Sequence, residues 1–275
     1  MELITVDRDT CTQCGLCAAA CPGGFFLFKK GGYPRPIPQV ENYCLRCGHC
    51  VAVCPSGSLA HREIPLESCP PLQKKLEATP EQVEQLIKGR RSIREYQDRP
   101  VPRETIIRLV DTARYAPTGH NMQEVEWLVL DDRQDLRRLE AIGVDWMRSV
   151  IKTQPQMAMA MEMEMLLKRH EKDPTTFLRG APALVVAYGP SGPMSLIDST
   201  ITLSYFDLAA NSLGLGCCWA GFVYFMATGF PPMKEALSLP EGRAVGGCMM
   251  LGYPKFGYPR IPARRPARIT WHPSS

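Results

Sequence analysis

The chain has 275 residues, about two globular domains' worth, and with 45% hydrophobic and 22% charged residues it is not disordered as a whole. It opens MELITVDRD, with acids where a signal peptide carries its basic end, and no run reaches the ~18 apolar residues of a membrane span; a cytoplasmic protein with no membrane partner is expected. The formal net charge of +4 leaves a nucleic-acid partner to be tested, and eight of the 12 cysteines fall between Cys11 and Cys54.

In a reducing compartment that density points to metal rather than to disulfides. Residues 11–22 read CTQCGLCAAACP and residues 44–55 read CLRCGHCVAVCP, both C-x2-C-x2-C-x3-C-P. This is the spacing of bacterial 4Fe-4S sites, in which the fourth cysteine of each run serves the other cluster. Three thiolates on one tight loop can grip three irons of a cube, and the fourth iron is reached from elsewhere. Cys11, Cys14, Cys17 and Cys54 are therefore assigned to one cluster, and Cys44, Cys47, Cys50 and Cys21 to a second. Gly15 and Gly48 are expected to let the loops close round the inorganic core, and Pro22 and Pro55 to redirect the chain. Zinc also uses C-x2-C, but a tetrahedral zinc has no place for the third and fourth cysteines of each run. His49, between two ligands, is read as a loop residue. A lobe of about 65 residues buries too little apolar surface to be comfortably stable alone, so the clusters would act as its core. Residues 1–62 resemble a bacterial-type two-cluster 4Fe-4S ferredoxin domain.

Residues 63–80 read EIPLESCPPLQKKLEATP, with four prolines and no sustained periodicity, which suits a linker over 63–78; Cys69 within it is read as a packed thiol. Thr79, Pro80 and Gln82 supply an N-cap, a first-turn proline and a capping-box glutamine, so a second domain, 79–275, begins on a helix over 80–88. In the RRSIREY that follows, an extended chain puts Arg90, Ser92 and Arg94 on one face and Arg91 with Ile93 on the other. Two guanidiniums beside a hydroxyl suit a phosphate, although a solvated basic turn is the simpler reading of these residues alone. Residues 104–116 have helical spacing, with Ile106, Leu109, Val110 and Ala113 as the apolar stripe. Pro117 ends it, and Thr118, Gly119, His120 and Asn121 make a polar loop. Strands are expected over 126–130, 183–188 and 244–251, and helices over 156–170 and 198–213. The first of those helices would put Met157, Met161 and Met165 on one side, either as core or as a lid over a variable substrate.

RRSIR, PV-x-x-E-x-I, ARYAPTGHNMQ, GLG-x-x-WAGF and a late LGYP followed by R-R-P occur in order. Together they resemble the FMN-dependent nitroreductase family across residues 79–268, and the whole chain looks like a ferredoxin-nitroreductase fusion. The resemblance implies an α+β fold, a two-cluster ferredoxin domain followed by a domain with a central, mainly antiparallel sheet and surrounding helices. It implies FMN in a homodimer, with Arg90, Arg91, Ser92 and Arg94 on its phosphate and ribityl chain. Pro117, Thr118, Gly119 and Asn121 would line the ring from the neighbouring subunit, the backbone of Ala220 and Gly221 would face its reactive edge, and Arg264 or Arg265 would complete the phosphate clamp. One departure concerns the segment after the loop: Gln123 is followed by Glu124 and Val125 where family members often have Pro-Trp, and the next aromatic is Trp127.

Gly214-x-Gly216 stands after a helix and before a strand, the reverse of a dinucleotide fingerprint. Cys217 and Cys218 read as buried thiols rather than a redox pair. His120 is a candidate proton donor, although a flavin reductase can take that proton from water, and no side chain is assigned as catalytic. The tail over 252–275 carries Lys255, Arg260, Arg264, Arg265 and Arg268 and no acid. Its interleaved prolines and aromatics suggest packing along a protein surface rather than a nucleic-acid arm, so no nucleic-acid partner is expected. The chain thus reads as an iron-sulfur flavoprotein reductase. It would pass electrons from a one-electron donor such as a ferredoxin, through two 4Fe-4S clusters and FMN, to a nitroaromatic, quinone or activated alkene. A reductive dehalogenase or flavin-linked dehydrogenase on the same fold, and an electron-transfer or redox-sensing module, are the alternatives.

Overall fold

The computed structural model describes residues 2–272; the last three residues of the expected second domain lie outside them. The chain forms two compact units, one running to Glu77 and including Thr118–Gln123, the other comprising Ala78–Pro117 and the chain from Glu124 onward. The segment read as a linker belongs, as far as Glu77, with the first unit. Ile64 bridges back to His61, and Leu66–Ser68 and Lys74–Leu76 are single 3-10 turns.

The first unit contains β1 (Ile4–Val6), α1 (Leu16–Ala20), β2 (Phe26–Leu27), β3 (Arg35–Pro36), α2 (His49–Ala52) and β4 (Leu59–His61). β1 pairs antiparallel with β4, placing Ile4 opposite His61, and β2 pairs with β3. Both short helices start immediately after a left-handed glycine, Gly15 at φ 75° and Gly48 at φ 73°, a conformation that costs other residues a Cβ clash. The core is small: Leu3, Ile4, Phe26, Val40, Val51 and Leu59, together with Cys17 and Cys50.

In the second unit follow α3 (Pro80–Gly89), α4 (Arg103–Ala113), β5 (Glu126–Leu130), α5 (Arg133–Thr153), α6 (Pro155–Ala160) and α7 (Met163–His170). They are succeeded by β6 (Ala183–Pro190), α8 (Pro193–Ser212), β7 (Gly216–Trp219), α9 (Gly221–Gly229), α10 (Pro231–Leu237) and β8 (Arg243–Gly252). The sheet runs β5-β6-β8-β7 with antiparallel neighbours throughout, so the fold is α+β. Side chains on a strand alternate between faces, and here both faces are covered. Ala183, Val185 and Ala187 pack with Ile106 and Leu109 of α4 and Leu203 and Phe206 of α8. Leu184 and Val186 pack with Trp146 and Met147 of α5 and Val223 and Met226 of α9. A strand buried on both sides reads as a continuous apolar run, which is what ALVVA is. Each such side chain contributes roughly 2 kcal/mol of burial. Gly246 and Gly247 let α8 lie close on β8: a Cβ at Gly246 would stand 2.2 Å from Ser199, and one at Gly247 2.5 Å from Leu203.

The single helix expected over 156–170 is two helices, broken at Glu162 with φ 52°. On a straight helix Met163 would lie about 200° round from Met161. The left-handed residue between them turns both toward the core, where Met163 is fully buried and Met157 and Met161 pack, while Met165 stays exposed. The 21-residue α5 was not foreseen from the sequence. Asp132 caps it, its Oδ1 accepting from the N–H groups of Gln134 at 2.7 Å and Asp135 at 3.2 Å, and Leu136, Leu139, Val144, Met147 and Val150 form its buried stripe.

Candidate functional sites

Within the first unit the two cysteine runs cross over. One cavity is lined by Cys11, Cys14, Cys17 and Cys54 with Val6 and Pro34; a second is lined by Cys44, Cys47, Cys50 and Cys21 with Ile4, Phe26 and His61. Among the described residues no three His, Cys, Asp or Glu side chains converge on a point that a single ion could occupy. Four thiols line each cavity, the number that a four-iron cube takes. The cradle also supplies donors to sulfur. Cys21 Sγ accepts from Phe25 N–H at 3.4 Å, Cys44 Sγ from Arg46 N–H at 3.4 Å, and Cys54 Sγ lies 3.4 Å from the Ser58 hydroxyl. Burial pushes Cys50 up to about 11, and a metal that demands thiolate releases that proton on binding. Burial also opposes ionisation of Cys54, but the Ser58 hydroxyl and the Leu59 N–H outweigh it and bring the thiol to about 7.

His49 opens α2 and is exposed. His61 was missed by sequence reasoning. It stands outside both cysteine runs, and only the β1–β4 pairing carries it to the second cavity, with Nε2 3.7 Å from Cys44 Sγ.

Asn121 and its neighbours also fall in the first unit. Asn121 Nδ2 donates to Leu45 O at 3.1 Å and Arg46 O at 3.0 Å, in the turn between Cys44 and Cys47. His120, Asn121 and Gln123 are all left-handed, and Thr118 Oγ1 accepts from Gln123 N–H at 3.1 Å. His120 is exposed; Pro117, also exposed, belongs to the second unit.

Within the second unit the residues after α3 form an irregular stretch tied to the sheet, Ile93 N–H donating to Cys217 O at 2.9 Å. Arg90 Nη1 lies 3.0 Å from Asp207 Oδ2 of α8. Arg91 lies over the Tyr258 ring at 6.0 Å, and Arg94 Nη1 donates to the Ser92 carbonyl at 3.3 Å. Burial raises the Cys218 thiol, and so does the Asp207 carboxylate, while the guanidiniums of Arg94, Arg179 and Arg90 pull it the other way, so all three cations lie near enough to this strand to act on its charge.

Arg179 is the second residue missed from the sequence. It is half-buried at φ 56° in the turn before β6, and burial together with Arg169 and Arg94 holds its guanidinium below the usual range. Its signal was the Arg-Gly pair heading a buried strand. Like charges gathered on a partly buried turn fit an anion with several acceptor oxygens, a phosphate above all. Arg264 and Arg265 are exposed on the irregular chain after β8 and form no side-chain hydrogen bond or ion pair among the described residues.

Ala220 N–H donates to Cys248 O at 2.8 Å, and Gly221 opens α9. Trp127, partly buried, packs on the core residue Phe206, ring centres 5.5 Å apart. Cys217 and Cys218 point to opposite faces of the sheet and join different apolar clusters, so they do not form a pair; burial raises both thiols.

Residues 87–253 match the family model described as the Nitroreductase family, and residues 10–59 match that of a 4Fe-4S dicluster domain. A putative NADH dehydrogenase/NAD(P)H nitroreductase of Methanothermobacter thermautotrophicus is 29% identical over 173 residues, 61% of this chain and 75% of the relative. A 4-nitrobenzoate reductase of Nocardioides sp. is 25% identical over 223 residues, 68% of this chain and 89% of the relative. Among solved structures, a nitroreductase with bound FMN from Bacteroides fragilis superposes with a TM-score of 0.57 at 22% identity, covering 68% of this chain and 97% of its own. An iodotyrosine deiodinase bound to FMN and 3-iodo-L-tyrosine gives 0.53 at 19% identity, covering 69% and 98%. At these identities the superpositions establish the fold.

Proposed function

Because the chain belongs to the nitroreductase family and carries a 4Fe-4S dicluster domain ahead of it, we propose that it is an FMN reductase fed one electron at a time. The acceptor is a small electrophile, a nitroaromatic, quinone or activated alkene. The observation that carries this reading is the pairing of two four-thiol cavities with a family domain whose basic group, Arg90, Arg94 and Arg179, suits a phosphate. When bound, FMN accepts single electrons and gives up a hydride equivalent, and the clusters supply the single electrons.

The protein's own residues do the rest. Arg94 and Arg179 would hold the phosphate. Asp207 keeps Arg90 beside them, its carboxylate sharing charge that the phosphate would otherwise take in full. Gly221, at the start of the nine-residue α9, would offer the positive end of a helix to the flavin edge. Water would serve as proton source, as a flavin reductase needs no side-chain donor.

A homodimer goes with this reading. α8 buries one side against the sheet yet exposes Met194, Ile197 and Tyr205 on the other. A helix that is apolar all round is covered on all sides, and a second copy would supply the cover. A chain that elutes as a monomer with a full complement of FMN would remove this part. No described helix is long and apolar enough to cross a membrane.

The names of the relatives favour a second source of electrons, a nicotinamide. One experiment separates the readings. The anaerobic protein is reduced with dithionite and mixed with nitroarenes, quinones, halogenated aromatics or a protein acceptor while flavin absorbance is followed. Rapid reoxidation by a nitroarene or quinone is expected; reoxidation only by a protein would make the chain an electron-transfer module. If NADH alone reduces the flavin at full rate in a variant lacking Cys11, Cys14 and Cys17, the clusters are not the route in.

A further inference from the structure

His61 is the last residue of β4 and is 2% exposed. Both of its ring nitrogens are engaged. Nδ1 accepts the Glu63 backbone N–H at 3.2 Å, and Nε2 stands 3.7 Å from Cys44 Sγ. A ring nitrogen that accepts a backbone N–H carries no proton of its own, so in the neutral ring the proton sits on Nε2 and is aimed at the sulfur. The geometry is held from the backbone. His61 is in register with Ile4 and bridges to Ile64, which fixes the position of the Glu63 N–H, and the Glu63 side chain is pinned by Arg46 at 2.5 Å. Among the described residues no imidazole lines the other thiol set. Cys54 is met by the Ser58 and Ser56 hydroxyls at 3.4 and 3.8 Å, rotors that can turn away, whereas the His61 donor cannot.

We propose that His61 is a positioning residue that sets the two clusters apart. Its Nε2–H bond to Cys44 stabilises the extra negative charge of the cluster held by Cys44, Cys47, Cys50 and Cys21, and so raises that cluster's reduction potential. Hydrogen bonds to ligand sulfur are among the determinants of cluster potential, and outer partners of a ligand tune the metal through it. The step balances without a proton: one electron enters from a one-electron reductant, the cluster goes from the 2+ to the 1+ state, and His61 keeps its hydrogen throughout. Electrons therefore settle on this cluster, whose Cys44–Cys47 turn is also the one held by Asn121. The inference rests on the two-cluster reading proposed above and deepens it, naming the cluster that discharges last.

The test is a mediated redox titration of the whole anaerobic protein at one fixed pH, read by electron paramagnetic resonance, so no acceptor turnover is needed and failure of the proposed enzyme activity would leave it untouched. In His61→Leu one of the two clusters should become about tenfold harder to reduce, about 59 mV for a one-electron step, with the other unmoved. His61→Gln, which can still offer an N–H, should recover most of the difference. Both clusters unmoved, or both shifted equally, overturns the proposal. Should the leucine variant fail to hold iron, parent protein carrying nitrogen-15 histidine decides. The reduced signal should then show hyperfine coupling to an imidazole nitrogen, and its absence overturns the proposal equally.

Discussion

The two units bury their interiors in different ways. The first has six apolar side chains and the thiols of Cys17 and Cys50 at its centre, with strands of two or three residues; so little apolar area does not offset the ordering of about 80 residues, and the inorganic clusters finish the core. The second has a sheet covered on both faces by helices, with residues such as Val185, Phe206 and Met226 fully buried. Its cofactor would bind to a fold that already stands. In one unit the cofactor is structure; in the other it is cargo of the structure.

Iron removal breaks the comparison most directly. When the whole protein is stripped of iron with a chelator, or carries Cys50→Ser, amide exchange in β1 and β4 should accelerate by about 100-fold or more, while β6 and β8 keep their protection. Removing FMN should leave both patterns close to those of the loaded protein. Equal loss of protection in the two units on iron removal would show that the second core also depends on the clusters.

The pH dependence of stability should differ in sign between the units. Glu140 of α5 is 5% exposed and accepts the Phe177 and Leu178 N–H groups at 3.0 and 2.7 Å. His170 of α7 stands 3.8 Å away, and Asp173 and Arg179 act on it from the following segment. Burial pushes this carboxyl up from 4.5 to about 7. The folded state therefore holds a proton that the unfolded chain has released across that window. Stability falls as pH rises through it and is level above, by about 3 kcal/mol at most. In the first unit the Thr10 hydroxyl holds Asp7 low and Arg46 holds Glu63 low, so their small contribution is lost as pH falls. Urea unfolding of the second unit at pH 5 and pH 7.5 should show the slope in the parent and none in Glu140→Gln. A slope that survives the substitution assigns it to another group.

Glycines are used for different reasons in the two units. Gly246→Ala drives a Cβ to 2.2 Å from the buried Ser199 and should cost about 2 kcal/mol through overpacking of α8 on β8. Gly48→Ala has room, its Cβ 3.6 Å from Ile64, and suffers only from φ 73°, about 1 kcal/mol. A D-alanine introduced at position 48 by semisynthesis should restore stability there, and at position 246 should not.

Much of this organisation was legible in the sequence because it is local. The cysteine spacing, the capping box at Thr79 and the apolar run of β6 are each set by residues within a turn or a strand of one another. The residues that escaped are those placed by pairing at a distance. His61 reaches Cys44 because β4 pairs with β1 at the other end of the unit, and Arg179 joins Arg94 across 85 positions of sequence. The Met-rich segment misled for another reason. Its composition favours helix at every position, and the break at Glu162 answers a tertiary demand, the burial of Met163, which propensity does not encode.

The smallest expected effect lies at the start of the second unit. Thr79 and Gln82 close a reciprocal cap, Thr79 Oγ1 accepting Gln82 N–H at 3.3 Å and Gln82 Oε1 accepting Thr79 N–H at 2.9 Å, and Glu84 pairs with Lys88 one turn further on. Yet α3 buries none of its side chains. Removing the cap with Thr79→Ala withdraws about 1 kcal/mol from the helix, and because no apolar face transmits that loss to the sheet, the helix should fray alone. Amide exchange over 80–89 should rise about fivefold, from RT at 25 °C and that energy, with the unfolding midpoint of the second unit unchanged and Thr79→Ser close to the parent. A fall in the global midpoint would mean that α3, exposed as it is, is part of the cooperative core, and that the boundary of the second unit is set by stability rather than by the end of the proline-rich stretch.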